Sequence, residues 1–159
     1  MDFLLWTARS LHIFSVVVWF GGLMYQAVVM LPVAKVDGQE LDNFTRHLLR
    51  RFQPFVWMCV WTILITGVGL MLFDPRFVFF LYNDRWSVLL GVKQVVFAAM
   101  VFFSFGHARM LSRVDDMLMN DESSESVKPS YNQMLMLGKI NVVLAIVALL
   151  LAAGLVSTF

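Results

Sequence analysis

The chain has 159 residues, of which 60% are hydrophobic and only 14% charged, and its mean hydropathy is +0.76. A soluble single domain of this length cannot hide so much apolar surface, so a water-soluble globular fold is excluded. The net charge of +1 gives no argument for a nucleic-acid partner, and none is expected. The single cysteine, Cys59, excludes an internal disulfide and any thiolate cluster; inside an apolar run it reads as a small buried hydrophobe.

Four long apolar stretches follow one another, each near the length needed to cross a bilayer core. They predict helices over residues 5–31, 52–73, 85–110 and 131–157, forming a single transmembrane domain over 1–159. The first lacks a basic leader and is too long for a cleaved signal peptide, so it is read as retained. None shows the strict alternation of barrel strands, and in lipid the backbone must satisfy its own hydrogen bonds, so helices are the spanning form that fits. Pro32, Pro54 and Pro129 are placed near helix ends, and Asp74-Pro75 closes the second helix. Asp121-Glu122-Ser123-Ser124-Glu125-Ser126 is too polar to pack and is expected to be a flexible linker. The fold class is therefore all-α, an integral membrane four-helix bundle.

Loops alternate between two faces. One carries Arg9, Arg76 and Arg85; the other carries Lys35, Arg46, Arg50, Arg51, Arg109, Arg113 and Lys128. The positive-inside rule makes the second face cytoplasmic and places both termini in the periplasm. The expected location is a bacterial inner membrane, with the lipid bilayer as the principal partner, a redox partner in the membrane left unidentified, and assembly into a homo-oligomer left open.

Ionisable side chains at membrane depth are costly and mark interior or functional positions. Here they are His12, Lys93, His107 and Lys139. His12, Ser15, Trp19, Gly22 and Gln26 fall on one stripe at helical spacing, a polar seam expected to face the other helices. Lys93 and His107 are about 14 residues apart, so they share a helix face and stand about 21 Å apart along the axis. If the first and third helices are neighbours, His12 and Lys93 belong to one outer site. His107, Lys139 and Asn141, with Arg46, His47, Arg50 and Arg51 in the adjoining loop, then form an inner cluster. Lys139 also reads as a lysine that snorkels to the cytoplasmic surface, and His47 as a simple surface hydrogen-bonding group.

No paired carboxylates lie within the spans and no nucleophilic triad is present, so catalytic residues are not assigned. Neutral imidazole is a common metal ligand and an axial ligand of haem iron, and facing helices of a four-helix bundle are a normal place for such a cofactor. Haem b is thus the expected cofactor, with His12, Lys93, His107, Trp19 and Arg50 as its binding residues and the lysine or arginine as a partner for its propionates. His12 and His107 are the metal ligands of this reading. Copper is the alternative. Tandem Met-Leu-Met runs at 117–119 and 134–136 suit Cu(I) chemically, but residues two apart on a helix point away from each other, which favours packing methionines.

The run Leu11-His12-Ile13-Phe14-Ser15-Val16-Val17-Val18-Trp19-Phe20-Gly21-Gly22-Leu23 resembles the first helix of two related groups of membrane proteins, the CopD copper-resistance components and the HemJ-type protoporphyrinogen IX oxidases. Arg46 to Arg51, Lys93 and His107 are similar in order to the residues of those families. The resemblance implies a four-helix membrane protein, and on the HemJ side a haem b-binding oxidoreductase in which His12 and Lys93 matter. After Leu23, where those enzymes continue with an arginine and a further histidine, this chain has Met24-Tyr25-Gln26-Ala27-Val28-Val29-Met30-Leu31-Pro32. The CopD side implies copper binding or transport by a minimal relative.

Overall fold

The computed structural model describes residues 2–30, 43–73, 85–120 and 124–156. Every element in them is helical: α1 (Asp2–Tyr25), continued by a π-helical segment (Gln26–Met30), α2 (Asn43–Leu72), α3 (Arg85–Met119) and α4 (Ser124–Val156). Each contains a stretch long and apolar enough to cross a membrane. The outward faces carry Phe14, Val17, Ile65, Val95, Phe102 and Leu150, all exposed in the isolated chain. An apolar exterior on helices of this length is the surface that hydrocarbon solvates, so the chain is a multi-pass membrane protein in contact with lipid.

The helices run up and down, and their pairing is uneven. The α3–α4 hairpin is the most extensive contact and α1–α2 the next; thinner contacts of α1 with α4 and of α2 with α3 close the bundle. The first and third helices therefore lie across the bundle from one another rather than side by side. They still meet at the centre, where Trp19 packs edge-on against Phe97 with centroids 6.0 Å apart. Around this contact lies the main core of Leu23, Val56, Cys59, Val60, Ile63, Met100 and Ala145. Cys59 is buried there as a small hydrophobe. Close approach of α1 to α2 depends on Gly22, because a Cβ at that position would collide with the ring of Phe52.

Three helices are longer than their apolar runs predict. α2 starts at Asn43 rather than near 52, α3 runs on to Met119 rather than ending near 110, and α4 begins at Ser124 rather than near 131. At 1.5 Å per residue the 35 residues of α3 extend about 52 Å, well beyond a hydrocarbon core of roughly 30 Å. The excess lies on the face opposite the termini. It is held by a second core of Leu49, Leu111, Met134 and Leu135, by the buried Val114 and Val127, and by an Arg50–Asp115 ion pair of 2.9 Å. Ser124 to Ser126, expected in a flexible linker, are the first turn of α4, while residues 121–123 lie outside the described residues. Pro54 and Pro129, expected near helix ends, lie inside α2 and α4. Each removes one backbone donor without ending its helix. Pro32 and Asp74-Pro75 lie outside the described residues.

Candidate functional site

The polar seam of α1 faces inward along its whole length. His12 is half-buried, Ser15 and Trp19 are buried, Gly22 abuts Phe52, and Gln26 reaches an interior cavity. Near the face carrying the termini, His12 Nδ1 lies 2.9 Å from Thr66 Oγ1 on α2. The Thr66 hydroxyl itself donates to the Thr62 carbonyl at 2.5 Å, so its oxygen is left to accept. His12 therefore donates from Nδ1, and Nε2 carries the lone pair. The ring lies against the backbone of Gly67, where an added Cβ would come within 3.2 Å of His12 Cε1. Lys93, reaching in from across the bundle, is close enough to His12 for their charges to interact.

About 14 residues further along α1, some 21 Å at helical rise, the seam ends in a second polar site. A cavity of about 30 Å³ is lined by Gln26, Ser104, His107, Met134, Gly138 and Asn141, among others. His107 Nδ1 sits 3.1 Å from the Met134 carbonyl oxygen. A carbonyl only accepts, so His107 also donates from Nδ1 and keeps its lone pair on Nε2. The imidazole lies against Gly138, where an added Cβ would make ordinary van der Waals contact with Cε1 and Nδ1 at 3.6 Å. Asn141, 1% exposed, donates from Nδ2 to Ser104 Oγ at 2.6 Å, and its Oδ1 has no partner among the described residues. The π-helical turn at Gln26 falls on this cavity, and such turns recur at functional sites because they displace side chains from the regular helical register.

Between the two sites stands Trp19, whose buried Nε1 has no acceptor among the described residues. Arg50 belongs to neither. It is 76% exposed and paired with Asp115 at the end of the bundle. Lys139 and His47 are exposed as well, so among the described residues of the inner cluster expected from sequence, only His107 and Asn141 line the cavity. Thr66 and Ser104 had no role assigned from sequence. The signal for Thr66 was available, since Thr62 and Thr66 repeat at i, i+4 on one face of α2.

Among the described residues no three His, Cys, Asp or Glu side chains come together as a metal site, so hard or borderline ions lack a ligand set. A cavity of about 30 Å³ holds an ion or a water molecule; sites for organic ligands begin near roughly 300 Å³. The residues lining it do not fit a haem macrocycle. Imidazole joined by thioether is a ligand combination for Cu(I), and His107 and Met134, which carry these two groups, are among the residues lining this cavity.

No curated protein and no solved structure matches the chain at the stringency applied. A family model described as copper resistance protein D, CopD, matches residues 46–155, a segment that takes in Lys93, His107, Met134 and Asn141 and begins after the His12 seam. It spans α2 from its first turn through nearly all of α4 and covers more than half of the sequence, so this four-helix membrane protein belongs to the CopD family.

Proposed function

We propose that the chain binds copper within the membrane and serves copper handling across it, with His12 and His107 as the ligands in the two halves of the bundle. One observation carries this reading. Both half-buried histidines have Nδ1 held by an oxygen acceptor, Thr66 Oγ1 for His12 and the Met134 carbonyl for His107, which leaves Nε2 as the coordinating nitrogen. Metal-binding histidines are fixed in this way, by a hydrogen bond from the nitrogen that does not bind. The CopD match supports copper as the ion, and the soft ligands at the His107 cavity favour the Cu(I) state. In this reading the Lys93 charge within electrostatic range of His12 opposes a divalent ion more strongly than a monovalent one, so His12 takes copper as Cu(I).

The proposed orientation follows from the loop charges: the termini are periplasmic, and the face bearing the His107 cavity, Arg50 and Arg113 is cytoplasmic, in a bacterial inner membrane. The test is titration of the purified full chain in lipid nanodiscs with Cu(I) under ascorbate, read by competition with a chromogenic chelator. Two sites are expected in the parent, with one lost in each of His12→Ala and His107→Ala. A parent that takes up no Cu(I) refutes the proposal.

A second reading, a haem b protein in membrane redox chemistry of the protoporphyrinogen oxidase type, is favoured by one observation, that Lys93 lies within electrostatic range of His12. His12 Nε2 is a suitable axial ligand in chemical type. The reduced and oxidised absorption spectra of the purified protein separate the two readings. A Soret band at full occupancy, lost in His12→Ala, supports haem; a parent without one removes this reading.

A further inference from the structure

We propose that the cavity beside His107 is a specific Cu(I) site in which thioether sulfurs complete the coordination of His107 Nε2, with Met134 as the first sulfur ligand and Met30 and Met110 as the ones that relay the ion to the adjoining face. The proposal rests on the copper reading above and names the inner site's ligands, none of which the family match assigns. Three elements contribute methionines to one hydrophobic cluster. Met134 of α4 is 0% exposed and belongs to the cluster of Leu49, Leu111 and Leu135; Met30, at the end of the π-helical segment, and Met110 of α3 pack against that cluster. Two members of the cluster, Leu49 and Met134, also line the cavity with His107. The cavity and the methionine cluster are therefore contiguous.

The helical spacing that argued against a Met-Leu-Met motif holds here, since Met136 is 56% exposed while Met134 is wholly buried. It does not argue against Met134. The methionines of this cluster come from three spans, not from one run, and such convergence leaves no trace as a linear motif. The ligand types are also selective. Thioether and neutral imidazole carry no charge, so a site built from them suits a soft monovalent ion in a low-dielectric interior, whereas Zn(II) and Mg(II) would meet no anionic ligand among the described residues of the lining, only the amides of Gln26 and Asn141 and the Ser104 hydroxyl. The His107 tautomer is set by Met134's own backbone carbonyl at 3.1 Å, so the residue proposed to supply sulfur also orients the nitrogen.

The experiment uses the full chain in nanodiscs, with Cu(I) and, as a redox-inert soft probe, Ag(I). Leucine replaces methionine because it keeps volume and removes only the sulfur. Met134→Leu is expected to weaken the inner site by on the order of 10- to 100-fold, the range seen when support of a metal ligand is lost. Met30→Leu/Met110→Leu is expected to slow release to an external chelator, and Met136→Leu to change nothing. A tenfold excess of Zn(II) is expected not to displace the probe. If the parent binds Cu(I) at a site lost in His107→Gln but untouched in Met30→Leu/Met110→Leu/Met134→Leu, the thioether site is overturned while the copper reading stands. If the parent binds neither ion, both fall.

Discussion

Replacing Thr66 by valine separates the ligand from the group that orients it. Valine keeps the shape of threonine but has no hydroxyl, so His12 Nδ1 loses the oxygen now 2.9 Å away. This hydrogen bond links α1 to α2, and interhelical hydrogen bonds in membrane proteins average about 0.6 kcal/mol, with a maximum near 1.7. The stability loss is therefore expected to stay under about 2 kcal/mol, leaving the bundle folded. The effect on the ligand is larger in consequence. With its tautomer and orientation no longer fixed, copper affinity at His12 should fall about 10- to 100-fold, or roughly 1.4 to 2.7 kcal/mol. The assay is two-site Cu(I) titration of Thr66→Val beside Thr66→Ser, which restores the hydroxyl. The His107 site, about 21 Å along the axis, should be unaffected. Loss of both sites together, or of neither, would refute the assignment of Thr66 as the residue that positions His12.

Other substitutions follow from the same contacts. Asn141→Ala removes the donor to Ser104 Oγ and opens a void beside His107, so it should cost about 1 to 3 kcal/mol in a denaturant-unfolding assay; Asn141→Leu, which fills the volume, should be milder. Gly22→Ala drives a Cβ into the Phe52 ring and should destabilise the α1–α2 contact by about 1 to 3 kcal/mol, measured as a lower midpoint of thermal unfolding in detergent. Arg50→Ala breaks the ion pair with Asp115, but with one partner 76% exposed the change should be below about 1 kcal/mol, and copper binding should be unaltered. An Arg50 variant that loses copper would return this arginine to the site.

The spans and the inward seam of α1 are legible because hydropathy and a 3.6-residue period are local properties of one segment. His12 to Gln26 recur at that spacing, and each faces the bundle. Helix ends on the face opposite the termini are less legible. Arg109, Arg113 and Lys128 mark where the chain leaves the hydrocarbon, yet α3 and α4 stay helical beyond that point because Leu111, Val114 and Val127 pack against their neighbours. The inner site is partly legible. His107 and Asn141 stand out as polar residues in apolar runs, whereas Met134 looks like any core methionine. Its place beside His107 depends on how α3 packs against α4, a relation between distant residues that no spacing within one helix encodes. Arg50 illustrates the converse: its sequence position suggests a propionate partner, and only the fold reveals Asp115 beside it.

X-ray absorption at the copper K-edge of the full chain loaded with Cu(I) tests the central claim most directly. The expected result is an edge of monovalent copper, the outer-shell scattering of imidazole from His12 and His107, and a sulfur shell that disappears in Met134→Leu. Copper retained without imidazole scattering, or a parent protein that retains no copper, would contradict it.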